Sequence, residues 1–187
     1  MKDMIKIINF IKEIEKLKSV TRTAWTRTGR NESTAEHSWR LAVFLMLMED
    51  KFEDIDINKC IKMSLIHDLG EIYDGDISAK VEVDSEFKLN MEERAMNRVL
   101  SFLSEDMRDE LFELWIEYNE CESKEAKLVK ALDKIETIIQ HNQGDNPNDF
   151  DYEFNLKYGK KYCEDDEILI HIRNIVDNDT RKQIELK

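Results

Sequence analysis

The chain has 187 residues, a hydrophobic fraction of 41%, one proline, five glycines, and a formal net charge of −13 from 41 acidic and 28 basic residues. This length and apolar content suit one folded domain and exclude disorder over most of the chain, while the scarcity of turn residues favours helices. The negative balance repels phosphate backbones and argues against a nucleic-acid partner, although a small anionic substrate is compatible where a cation or arginines neutralise it locally.

Met4, Ile7, Ile8, Ile11 and Ile14 recur at three- and four-residue spacing, which predicts an amphipathic first helix. Charges interrupt it every few positions, unlike the apolar core of a signal peptide. Ser19 to Ser33, rich in Thr, Gly and Asn, reads as a loop. Ser33 or Thr34 is placed to cap a second helix, with Glu36 in its first turn. That helix is apolar nearly all round from Leu41, so a central buried position is expected. Its apolar run, Leu41 to Met48, is far shorter than the roughly 20 residues that span a bilayer, and no membrane partner is expected.

A third helix, INKCIKMSLIHDLGEIY, follows a cap at Asp56 and is expected to end near Gly75. DGDISAKVEVDSE is a polar connector. Two amphipathic helices follow from Ser85, divided near Ser104, and then another in ESKEAKLVKALDKIETIIQHNQ. GDNPNDF is a turn cluster, after which shorter helical pieces are expected to run to Lys187. No stretch alternates as a strand would. The expectation is an all-α chain forming a single domain over 1–187. Cys60, Cys121 and Cys163 are odd in number and widely spaced, as reduced thiols of a cytoplasmic protein would be.

The four histidines are unequal. His171 reads as a surface or internally satisfied residue, and His141 likewise, near a helix end where it is favourable to the dipole. His37 and His67 stand where buried helices begin or end, and each has an acid nearby. On a helix continuing through LIHDLGEIY, Glu71 lies four residues beyond His67 and three beyond Asp68, on their face. Imidazole together with carboxylate suits Mn²⁺, Co²⁺, Fe²⁺ or Zn²⁺. His37 and a residue from a later helix would complete such a site. Asp133, in KALDKIET, occupies a position beside Leu132 where an apolar side chain would face inward. The ordered set H…HD…D on three predicted helices thus points to one divalent cation.

That ordered set resembles the metal site of the HD-domain phosphohydrolases, with His37, His67, Asp68 and Asp133 at the ligand positions. The resemblance implies a single HD-domain helical bundle, with a metal-binding core at about 5–143 and a helical C-terminal tail, 144–187, on which it is silent. More narrowly, STAEHSWR and HDLGEIYDGDI are similar to the 5′-deoxynucleotidase branch, which removes phosphate from deoxynucleoside monophosphates. It implies one divalent cation (Mn, Co, Fe, Zn or Mg) and a small nucleotide substrate, with a homodimer as one option. It also implies catalytic roles for Glu71 and Asp76, and substrate contacts from Arg22, Trp25, Asp76 and Ser78. In that setting Trp25 would pack against the sugar and reject a 2′-hydroxyl. Two departures stand out. Thr23 and Ala24 separate Arg22 from Trp25, leaving Arg22, Arg27 and Arg30 as phosphate candidates, and ISAK follows the GD pair, so Lys80 shares candidacy with Ser78. The rival readings are another HD hydrolase, acting on a nucleoside triphosphate, cyclic dinucleotide or alarmone, and a non-catalytic metal- and nucleotide-binding regulatory module. A serine hydrolase is set aside because no GxSxG elbow is present.

Overall fold

Helices dominate the computed structural model, which describes residues 2–186; Met1 and Lys187, the ends of the expected 1–187 domain, lie outside the described residues. The α-helices are α1 (Lys2–Ile14), α2 (Thr34–Leu47), α3 (Ile57–Ile66), α4 (Ser85–Leu100), α5 (Glu105–Glu120), α6 (Lys124–Gln143) and α7 (Glu167–Glu185). Single 3₁₀ turns at Glu15–Lys18, Glu49–Lys51, Leu69–Glu71, Glu153–Leu156 and Lys160–Tyr162 link them. Among the described residues no helix is long and apolar enough to cross a membrane.

Local chemistry accounts for the helix starts. Ser33 and Glu36 form a reciprocal capping box at α2. Asp56, Asp84, Ser123 and Asp166 each accept a first-turn backbone N–H with their side chains, at α3, α4, α6 and α7. Helix α6 forms the centre of the bundle, with Leu132, Ile135 and Ile138 buried beside Leu41 and Leu45 of α2 and Met63 of α3.

Three expectations are corrected. The segment read as a loop holds an antiparallel hairpin, β1 (Thr21–Trp25) with β2 (Asn31–Ser33). Its strands are short and irregular in register, and the more buried positions of β1 are Arg22 and Ala24, so its apolar residues showed no two-residue period to detect. Helix α2 is not buried all round, because Trp39, Met46 and Leu47 are 63%, 54% and 72% exposed. Helix α1 is amphipathic as expected, with Ile7 and Ile14 packed on the core beside Phe10 and Leu17 of the adjoining turn, whereas Met4, Ile8 and Ile11 are exposed. The chain after the turn cluster adds to its short 3₁₀ turns a full 19-residue helix, α7.

The helix carrying the HD pair also ends earlier than expected. α3 stops at Ile66, His67 is its C-cap, and Leu69–Glu71 is a 3₁₀ turn. A Cβ on Gly70 would lie 2.8 Å from Glu92 Cβ, so the turn packs directly on α4. His67, Asp68 and Glu71 therefore converge through a tightened helix end, not through one straight helical face.

Candidate metal centre and substrate cleft

His37 from α2, His67 from the end of α3 and Asp133 from α6 offer ligand atoms that all lie within 4.8 Å of one another, and all three residues are buried. His67 Nδ1 lies 2.8 Å from the Ser64 carbonyl. A carbonyl only accepts, so Nδ1 carries the proton and Nε2 presents a lone pair. That lone pair faces Asp68 Oδ2 at 3.1 Å, and both are buried atoms without a hydrogen-bond partner. Two facing acceptors repel unless positive charge stands between them. The chemistry of this donor set thus fits a divalent cation.

The remaining atoms orient these groups. Glu136 Oε2 accepts from His37 Nδ1, which turns Nε2 towards Asp133 Oδ1 at 3.1 Å and Asp68 Oδ2 at 3.9 Å. Asp133 Oδ2 accepts from the Tyr118 hydroxyl at 2.6 Å and lies 2.9 Å from Lys134 Nζ. Burial opposes the charge on Asp133, but Lys134 beside it is the leading counter-charge, and the carboxyl is held well below the usual aspartate range. Burial likewise opposes the charge on Asp68, and nearby positive charge, the Arg22 guanidinium 3.5 Å away included, holds its carboxyl below the usual aspartate range. Such outer partners fix ring orientation and ligand charge in metal sites.

A cleft of about 360 Å³ opens beside this cluster. His67, Asp68, Glu71, Asp76, Ser78, Arg22 and Trp25 all line it, so the structure brings together the residues singled out by the sequence. Of the three candidate arginines, Arg22 lines the cleft, donating to Thr137 Oγ1 at 3.0 Å and standing 3.5 Å from Asp68 Oδ2. Arg30 pairs with exposed Glu36, and Arg27 borders a separate groove with Ile139 and Asn142. Lys80 lines the cleft but is paired with Asp151 at 3.3 Å and lies over the rings of Phe150 and Phe154.

Glu71 is buried, with Thr34 Oγ1 3.5 Å from its Oε2. Burial, then the charges of Asp68 and Asp76, raise its carboxyl to about 9. A cation on the neighbouring ligands adds positive charge and favours the carboxylate again.

Trp25 is positioned through its backbone. Its carbonyl accepts from Gln140 Nε2 at 2.5 Å, and a Cβ on Gly144 would fall 2.1 Å from the same oxygen. Gly144→Ala is therefore expected to overpack this contact by about 1–3 kcal/mol, lowering Tm by roughly 2–12 °C in a chain of this size. Calorimetry checks this, and an unchanged Tm would show that the contact relaxes without cost.

Several lining residues escaped sequence reasoning. Tyr118, Lys130, Tyr158, Phe150 and Phe154 all border the cleft. Lys130 stands 3.4 Å from the Tyr118 ring centroid, and burial followed by repulsion from Lys134 lowers its ammonium to about 8. His141 lies in the last turn of α6, as expected, but it is also buried, lines the cleft and bonds through Nδ1 to Asn155 Oδ1 at 2.9 Å. The one available signal was its place two turns beyond Asp133 on α6. His171 is exposed, as expected.

The HD domain family model matches residues 14–172. A 5′-deoxynucleotidase of Homo sapiens is 38% identical over 136 residues, covering 72% of this chain and 66% of that protein. A 5′-deoxynucleotidase of Dictyostelium discoideum is 37% identical over 145 residues, covering 73% of this chain and 76% of that protein. Among solved structures, a predicted metal-dependent phosphohydrolase from Magnetospirillum magnetotacticum superposes with a TM-score of 0.77 at 27% identity, covering 97% of this chain and 95% of that one.

Proposed function

The chain belongs to the HD-domain family, and on that premise we propose that it is a divalent-metal-dependent phosphomonoester hydrolase acting on deoxynucleoside 5′-monophosphates. One observation carries this reading. The facing lone-pair atoms His67 Nε2 and Asp68 Oδ2 lie against a cleft that also presents Arg22, Glu71 and Trp25. The matched relatives are 5′-deoxynucleotidases, which supports the choice of substrate class.

His37, His67, Asp68 and Asp133 would hold the cation. When bound, it supplies Lewis-acid charge for a phosphate oxygen and lowers the pKa of water. Arg22 binds a second phosphate oxygen, which lets a chain of net charge −13 accept a dianion. Glu71 takes the proton of the attacking water as its oxygen bonds to phosphorus, and the 5′ oxygen departs as the bond to phosphorus breaks and takes a proton from solvent. Asp76 and Ser78, on the connector bordering the cleft, orient the substrate. Trp25 covers the sugar edge.

A ribose 2′-hydroxyl against Trp25 would lose its water without gaining a partner, which predicts about ten- to hundredfold higher kcat/KM for dAMP than for AMP. Phosphate release measured over ribo- and deoxynucleoside monophosphates with each divalent metal tests this. Trp25→Ala should narrow the deoxy-to-ribo ratio, and equal rates on AMP and dAMP by the unaltered enzyme would remove sugar discrimination from the proposal.

A further inference from the structure

Among the described residues, the cationic side chains lining the cleft are Arg22, Lys80, Lys88, Lys130 and Lys134. All but one have a carboxylate partner. Arg22 stands 3.5 Å from Asp68, Lys80 3.3 Å from Asp151, Lys88 3.4 Å from Glu92 and Lys134 2.9 Å from Asp133. Lys130 forms no such pair, and its Nζ lies over the Tyr118 ring, 3.4 Å from the centroid. The residue is half-buried. Burial, then repulsion from Lys134, lowers its ammonium to about 8, which leaves it charged near pH 7. A partly desolvated charge without a counter-ion is unfavourable, and a bound anion offsets that cost.

The metal-holding residues fix where this charge stands. Tyr118, whose ring carries Lys130, donates from its hydroxyl to Asp133 at 2.6 Å and meets the His67 ring at 4.9 Å between centroids. Lys130 lies three residues before Asp133 on α6, so the two side chains share a face of that helix. Arg22 approaches the cluster from β1 on the side of Asp68, and Lys130 approaches from α6 on the side of Asp133. Asp68 and Asp133 both attract Lys130, but a divalent cation held between them takes up their charge. Glu92, whose carboxyl Lys130 also stabilises in its charged form, is already paired with Lys88.

We propose that Lys130 is a second phosphate-binding residue, which grips a phosphoryl oxygen of the substrate on the side away from Arg22. This rests on the phosphohydrolase reading of the same cleft. A phosphomonoester dianion has three non-bridging oxygens. With one on the cation and one on Arg22, the third is left for an ammonium, whose three rotatable donors suit a tetrahedral anion. Inorganic phosphate presents the same oxygens, so the product binds Lys130 as the substrate does. Neither sugar nor base is involved, and the contact favours deoxynucleotides and ribonucleotides equally.

The test measures calorimetric binding of inorganic phosphate to the full chain loaded with Mn²⁺, beside kcat/KM for dAMP and AMP. Lys130→Met keeps the length of the side chain without its charge. It should weaken phosphate binding by about ten- to hundredfold, as loss of a hydrogen bond to a charged group does, and lower kcat/KM for both nucleotides by a similar factor. Bound Mn²⁺ and the dAMP-to-AMP ratio should stay as in the unaltered protein. Lys130→Arg, which keeps the charge, should recover most of the loss, and Lys130→Gln replaces the Met variant if that protein fails to fold. Unchanged phosphate affinity without the charge overturns the proposal, as do equal losses in the Met and Arg variants. Loss of Mn²⁺ from Lys130→Met overturns it as well, by assigning Lys130 to the support of Tyr118 and Asp133. Absence of phosphate release from every deoxynucleotide would instead overturn the phosphohydrolase reading, while the phosphate affinities still decide whether Lys130 holds the anion.

Discussion

His67→Ala should leave the protein without a full equivalent of bound divalent metal and reduce kcat/KM by about 10³-fold or more. The magnitude follows from the several kcal/mol that a bound cation contributes to a phosphoryl transition state, at about 1.4 kcal/mol per factor of ten. The geometry makes His67 the sensitive position. Its Nδ1 is committed to the Ser64 carbonyl, so only Nε2 is left to face Asp68. Removing the ring also removes the edge contact with Tyr118 at 4.9 Å, and Tyr118 is the residue that steadies Asp133. The measurement is metal content of the purified variant by elemental analysis, alongside phosphate release from dAMP. In parallel, chelation of the unaltered protein should abolish turnover, and Mn²⁺ or Co²⁺ should restore it. A variant that retains one equivalent of tightly bound metal would remove His67 from the ligand set.

Glu71→Ala should lower kcat by about 10²–10⁴-fold, as loss of a general acid or base does, while metal content stays near that of the unaltered protein. Glu71 lines the cleft beside Asp68, with Thr34 Oγ1 3.5 Å from its Oε2. Its burial, and the charges of Asp68 and Asp76, keep its proton affinity high without a cation, which suits a group that receives a proton during turnover. Glu71→Gln keeps the shape and removes the titrating oxygen, so it should be impaired to a similar degree. A kcat within about threefold of the unaltered enzyme would assign the proton transfer to another group.

Features carried by a few neighbouring residues were legible in the chain itself. The caps at Ser33 and Asp56 and the apolar spacing of α6 needed only three- or four-residue patterns, and these give the helical class. The His67-Asp68 pair, with His37 before it and Asp133 after it, gave the proposed ligand set, because residue types and their order survive without coordinates. Tertiary structure decided the rest. Glu136 turns His37 from 99 residues away, and Tyr118 steadies Asp133 from a different helix, relations that no local spacing encodes. The early end of α3 at His67 depends on the approach of Gly70 to Glu92 of α4. The aromatic end of the cleft, drawn from a tail on which the motifs were silent, exists because Arg173 of α7 draws the backbone at Asn155 and Tyr158 into place beneath His141. Sequence by itself determined which chemical groups this protein carries and that its chain is chiefly helical; packing decided which groups meet, because convergence is set by how whole helices dock and not by the residues adjacent to each group.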